Sequence, residues 1–163
     1  MTATKPAVPP RSAFDPQSVK PRIGSGYPDP FHKSAKDRAK RALGDAAGLT
    51  QFGVNLVTLP PGAWSSQRHW HSAEDEFVYV LEGELTLVTE AGEERVTAGM
   101  AAGFPCNTPN GHHFINRGSR PAIYLEVGTR NDAVDVCTYP DIDLGLRMEN
   151  DKPVWLHKDG RRY

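Results

Sequence analysis

Two histidines and a glutamate stand within eight residues of one another. They are His69, His71 and Glu76, in the frame Gly62-x6-His69-x-His71-x4-Glu76-x6-Gly83. A second histidine pair, His112-His113, follows downstream. Imidazole and carboxylate are the usual ligands of first-row transition metals. The set points to one divalent metal per chain. Fe, Mn, Ni, Zn and Cu are all compatible with three imidazoles and a carboxylate. A His-x-His pair alone is weak evidence, because two surface histidines on a strand look the same. The bracketing glycines and the third histidine favour the metal.

The elements that carry these groups follow from alternation. Side chains two apart on a strand share a face, so His69 and His71 point together if residues 67–71 are extended. Glu76 has the wrong parity for an unbroken strand, and a turn or bulge across 72–75 restores it. Glu76, Val78 and Val80 then face inward, against an outer row of Phe77, Tyr79 and Leu81. The expected result is a hairpin that delivers three ligands to one cavity, with Glu74 and Asp75 on the turn in solvent. Downstream, His112, Phe114 and Asn116 share one face, and His113 and Ile115 the other. His112 is expected inward, with His113 its competitor. Gln67 and Asn116 share the ligands' faces and are candidates for orienting a bound molecule. Tyr124 and Glu126 share one face of a later strand. If that face is inward, Tyr124 joins the substrate-binding candidates and Glu126 is the candidate general base.

These stretches resemble the two motifs of the cupin superfamily. Residues 62–83 look like the first, G-x5-H-x-H-x3,4-E-x6-G, with six residues rather than five before His69. Gly99-x5-Pro105 through His112-x3-Asn116 looks like the second, G-x5-P-x-G-x2-H-x3-N. Here seven steps rather than five lead from Pro105 to His112, and Gly111 directly precedes the histidine. The fifteen residues 84–98 between the motifs match the short spacing of compact single-domain microbial cupins. The resemblance covers residues 47–130. It implies an all-β fold, a single-domain cupin β-barrel (jelly roll), with His69, His71, Glu76 and His112 around a central metal. It also implies an enzyme acting on a small oxygenated molecule, either a dioxygenase or a protein like the sugar-phosphate isomerases. The fold alone does not select the reaction. The alternative is a non-catalytic binding or sensor protein that uses the metal to hold its ligand.

The rest of the chain frames this barrel. At 163 residues and 17.9 kDa it can bury one ordinary core. Strands are expected at 51–59, 76–81, 84–89, 94–97, 101–104, 112–116 and 121–128, the second and third joined as a hairpin over Glu82-Gly83. Short strands with frequent turns indicate a barrel or sandwich. Residues 1–46 read as an extended, Pro-rich, basic arm with a short helix at 34–43, its first dozen residues disordered. Residues 131–163 read as an acidic extension packed on the barrel. Its aspartates Asp132, Asp135, Asp141, Asp143 and Asp151 lack calcium-loop spacing and are expected in solvent.

Charge is divided unevenly. Residues 1–41 hold nine Lys/Arg against three Asp/Glu, and the remainder ten against seventeen. A basic arm can meet nucleic acid, but no helix-turn-helix accompanies it, so a DNA-associated regulator is disfavoured. Packing of the arm on the acidic barrel of its own or a partner subunit is preferred. With the apolar row Phe77, Tyr79, Leu81 it gives an expected homodimer. No apolar run reaches the roughly 18 residues of a membrane span, and the amino terminus lacks the apolar core of a secretory signal. Cys106 and Cys137 are expected as reduced thiols, and the chain reads as cytoplasmic.

Overall fold

The computed structural model describes residues 12–150 and 152–163. Most of the first dozen residues, where disorder is expected, and Asp151 lie outside the described residues. In chain order the strands are β1 (Arg22–Ile23), β2 (Ala39–Ala42), β3 (Phe52–Leu59), β4 (Trp70–His71), β5 (Glu76–Glu82), β6 (Glu84–Thr89) and β7 (Gly92–Thr97). They continue as β8 (Ala101–Phe104), β9 (His113–Ile115), β10 (Ala122–Thr129), β11 (Val136–Tyr139), β12 (Leu144–Glu149) and β13 (Lys152–Leu156). One short helix, α1 (Leu43–Ala46), separates β2 from β3.

One layer is an antiparallel sheet in the order β1-β2-β3-β10-β5-β8. The opposite layer comprises β13-β12-β11-β4 and β7-β6-β9. A backbone bridge between His69 and His112 joins these two smaller sheets. Between the layers lies one apolar cluster: Val57 and Leu59 of β3, Val78 and Val80 of β5, Leu85 and Leu87 of β6, with Phe114 and Tyr124. On β5 the inward residues alternate with exposed Phe77, Tyr79 and Leu81, as period-2 patterning demands. The all-β jelly roll expected from the motifs is the fold observed.

Three local expectations are corrected. Strands β5 and β6 do not pair with each other. Strand β5 pairs with β10 and β8, whereas β6 pairs with β7 and β9. Gly83 is a crossover between layers rather than a hairpin turn. It has φ 77°, and a Cβ there would lie 3.0 Å from both Pro121 O and Ala122 Cα, so only glycine fits. Likewise β4 pairs with β11 rather than with β5, and the first three candidate ligands reach the cavity from both layers. Finally, 34–43 is not a helix. Residues Lys33–Ala35 make a 3-10 turn, and β2 pairs residue by residue with β3 from Ala39↔Thr58 to Ala42↔Asn55. Tertiary pairing overrides the helical spacing of its lysines and arginines.

The two ends of the chain meet on the barrel. Tyr27 packs edge-on to Tyr139 of β11 and lies 5.2 Å from Trp155 of β13, centroid to centroid. With Phe31, Cys137 and Leu144 they form a second apolar cluster.

Candidate metal centre

The His69–His112 bridge does more than join sheets. His69 N donates to His112 O at 3.1 Å, and His112 N donates to His69 O at 2.8 Å. Two candidate ligands thus face one another across a single pair of backbone bonds. His71 enters from β4, held by its pairing with Cys137 of β11. Glu76 opens β5 in the opposite layer. The structure brings His69, Glu76 and His112 into one candidate group, and His71 Nε2 faces the same glutamate. The Nε2 atoms of His112, His69 and His71 lie 2.9, 3.5 and 3.7 Å from one oxygen, Glu76 Oε2.

That oxygen is buried and makes no hydrogen bond. Three ring nitrogens converge on it without a bond of proper geometry, which leaves a buried charge unsatisfied. A shared cation resolves this. Two donors each about 2.1 Å from one ion stand about 3.0 Å apart at a right angle and about 3.4 Å apart at the tetrahedral angle. The observed spacings bracket those values, so the donor set fits a metal.

The surroundings prepare each nitrogen. His69 Nδ1 donates to Gln67 O at 2.9 Å, and His71 Nδ1 donates to Asp135 Oδ2 at 2.6 Å. Both bonds place the proton on Nδ1 and leave Nε2 as a donor to metal. His112 Nδ1 has no partner. Its ring is fixed instead by Phe104, stacked at 3.5 Å and 1°. Burial opposes the charged form of Glu76, but the His112 and His69 rings that face it prevail and hold it well below the usual carboxylate range. Burial likewise opposes protonation of His71, yet Asp135, Glu76 and Glu74 outweigh it and raise its pKa. Burial lowers that of His112. The nearby thiol of Cys137 stays protonated, its pKa pushed up by burial. A protonated thiol is a poor ligand.

A cavity of about 310 Å³ opens beside this centre, lined by His69, His71 and Glu76 together with Arg38, Lys40 and Glu126. Glu126 lies on β10 and pairs with Lys40 of β2 at 2.5 Å. It also accepts from Asn55 Nδ2 at 3.1 Å. Burial raises its pKa, but the Lys40 charge wins and the carboxyl is held below its ordinary value. The basic arm packs on its own barrel and contributes Arg38 and Lys40 to the polar wall of the cavity.

Other sequence-based candidates sit elsewhere. Gln67 turns away from the cavity, its amide donating to Phe31 O and Ser34 Oγ. Asn116 is fully buried and donates to Leu59 O and Arg120 O. Both amides are committed to holding loops and are not available to a ligand. Tyr124 is also fully buried, and lines a small internal void behind the ligands rather than the open cavity. His113, expected outward, is buried against Trp64 with Nδ1 bonded to Ser66 O. Strand β9 is covered on both faces. Glu74, expected in solvent, lines the cavity. Asp135, also expected in solvent, is the partner of His71. Arg38 and Lys40 were legible only as part of a basic run. Their i, i+2 spacing was the signal that both could share one face of a strand.

A family model described as the cupin domain matches residues 55–128. A crystal structure of a sugar phosphate isomerase from the cupin superfamily, from Silicibacter pomeroyi, is 44% identical. It has a TM-score of 0.88, with 93% of this chain and 96% of that chain covered. A candidate sugar phosphate isomerase from Acidithiobacillus ferrooxidans is 34% identical, with a TM-score of 0.70 over 78% of this chain and 80% of that one. The polyketide cyclase RemF from Streptomyces resistomycificus shares the fold at 24% identity and a TM-score of 0.61, over 73% of this chain and 79% of its own. Comparison with curated proteins gave no match.

Proposed function

The chain belongs to the cupin family, and from that premise we propose that it is a mononuclear metalloenzyme that isomerises a small hydroxy-carbonyl compound of the sugar-phosphate type. The observation that carries this reading is the convergence of three imidazole Nε2 atoms on the unsatisfied Glu76 Oε2 at the base of a polar cavity. The names of the 44% and 34% identical relatives support the substrate type. His69, His71, Glu76 and His112 would hold the metal, which when bound polarises a carbonyl. Oxidation is the second reading from the same ligand set, and metal-dependent binding without turnover the third.

Glu126 is the residue assigned to proton transfer. Carbonyl isomerisation moves a proton between neighbouring carbons and needs a group that can accept and return it. Lys40 keeps Glu126 ionised at the cavity wall, and Asn55 fixes its orientation. Glu74 is the remaining carboxylate of the wall, and accepts from Asn131 N at 2.6 Å. Protein purified without added metal should contain close to one transition-metal ion per chain, and His71→Ala should lose most of it. Glu126→Gln should retain the metal and lose aldose–ketose interconversion, read across a panel of sugar phosphates. A His71→Ala protein with full metal content would sink the site. Failure of azide or nitric oxide to reach the metal would exclude an open catalytic position.

A homodimer and a cytoplasmic setting belong to the same proposal. Phe77, Tyr79, Leu81 and Met100 are each 39–46% exposed, an apolar face that a second copy would cover. Light scattering at micromolar concentration decides this, and a mass near 17.9 kDa counts against the dimer. Both cysteines are free thiols, in keeping with a reducing compartment. No helix among the described residues is long and apolar enough to cross a membrane.

A further inference from the structure

Arg38 is the one cation of the cavity wall with no carboxylate partner among the described residues. Lys40 is neutralised by Glu126, and Arg130 by Asp45. Arg38 is only 7% exposed and lines the cavity that holds His69, His71 and Glu76. Its Nη atoms donate to two backbone carbonyls, Ser65 O and Gly24 O. Its Nε is buried with no acceptor at all. A buried charge is normally paired, and two carbonyl dipoles do not supply the missing negative charge. Glu74 and Asp135 stand on the His71 side of the cavity, so neither compensates Arg38 by direct pairing.

We propose that Arg38, seconded by Lys40, is an oxyanion subsite that binds the phosphate group of the substrate while its hydroxy-carbonyl end faces His69, His71 and Glu76. This rests on the metal-site reading above and adds to it the residue that selects phosphorylated over neutral molecules. A guanidinium presents several N–H donors in a plane and matches phosphate oxygens better than a point charge does. Burial strengthens the attraction, because little water screens it. The cavity, about 310 Å³, falls at the lower end of the usual range for small-molecule sites. The basic run, which in sequence reads as packing on an acidic barrel rather than on nucleic acid, thus has two members, Arg38 and Lys40, turned onto a small-molecule cavity.

The test is calorimetric titration of inorganic phosphate into the full-length chain carrying its metal, with chloride holding ionic strength constant. A parallel titration uses malonate as the carboxylate. The wild type should bind phosphate, and Arg38→Met should weaken it about tenfold or more with unchanged metal content. Arg38→Lys should fall between the two. If Arg38→Met does not fold, because it also releases Gly24 and Ser65, Arg38→Lys and the double change Lys40→Met/Glu126→Gln are read instead. Each should weaken phosphate several-fold. Folded variants that bind phosphate as tightly as wild type would place the anion on the metal alone and overturn the subsite. So would an equal loss of thermal stability with and without phosphate, which marks a purely structural arginine. Malonate binding more tightly than phosphate would overturn the phosphate assignment. A wild type that takes up no metal yet binds phosphate through Arg38 would instead sink the metal reading and leave this subsite standing.

Discussion

Asp135 accepts the Nδ1 proton of His71 at 2.6 Å and the amide of Ala73 at 2.8 Å, from 64 and 62 residues away in the chain. Burial opposes its charge, but these bonds prevail and keep its carboxyl below the ordinary range. An anionic acceptor behind a ligating imidazole fixes the tautomer and strengthens the donor nitrogen. Asp135→Asn should therefore lower metal affinity about 10–100-fold without abolishing the fold. Competition against a chromophoric chelator measures this, and unchanged affinity would reduce Asp135 to a loop anchor. The candidate ligands were proposed from spacing and alternation, which are local properties. Asp135 was not legible, because nothing in a run of scattered aspartates says which of them returns to β4. Gln67 and Asn116 misled for the converse reason. Alternation gives the side of a strand, but it does not say which backbone carbonyls wait there.

The loop 105–112 that enters β9 is longer than the motif, and its anchoring explains why His112 is still delivered. A Cβ on Gly111 would lie 2.9 Å from Pro140 Cγ and 3.4 Å from Arg68 Cγ. Gly111→Ala must push that ring aside, and should cost about 1–3 kcal/mol of stability together with part of the metal content. Chemical denaturation and metal analysis of the same sample check both effects. Arg68 clamps this loop from outside, donating through Nε and Nη2 to Asp141 at 2.7 and 2.6 Å and through Nη1 to Glu90 at 2.7 Å. The paired Arg68 depresses the pKa of Asp141. A depressed carboxyl adds stability above its unfolded pKa, and that stability is lost as pH falls through the folded value. Asp141→Asn should thus melt below wild type at neutral pH. The gap should close as the pH drops beneath the ordinary aspartate value of about 3.9. A gap that is constant across that range would deny the ion pair its role.

At the scale of the molecule, the arm and the tail are parts of the site. Strand β2 supplies Lys40, the residue just before it is Arg38, and β11 pairs with the strand that carries His71. The sequence of 47–130 announced the barrel through its glycines and alternating strands. The flanks carry no such period, and their pairing partners lie far along the chain, so only the folded structure assigns them. One consequence concerns time rather than geometry. The amides of His69 and His112 are each bonded to the other residue's carbonyl, so both protons are locked by the seam that the ion would close. Their exchange with deuterated solvent becomes a clock for opening of the centre. Chelation should speed exchange at these two amides by about tenfold or more, while amides of the β6–β7 hairpin change little. Uniform acceleration along the chain would mean that the ion steadies the whole barrel, and that the seam has no separate opening of its own.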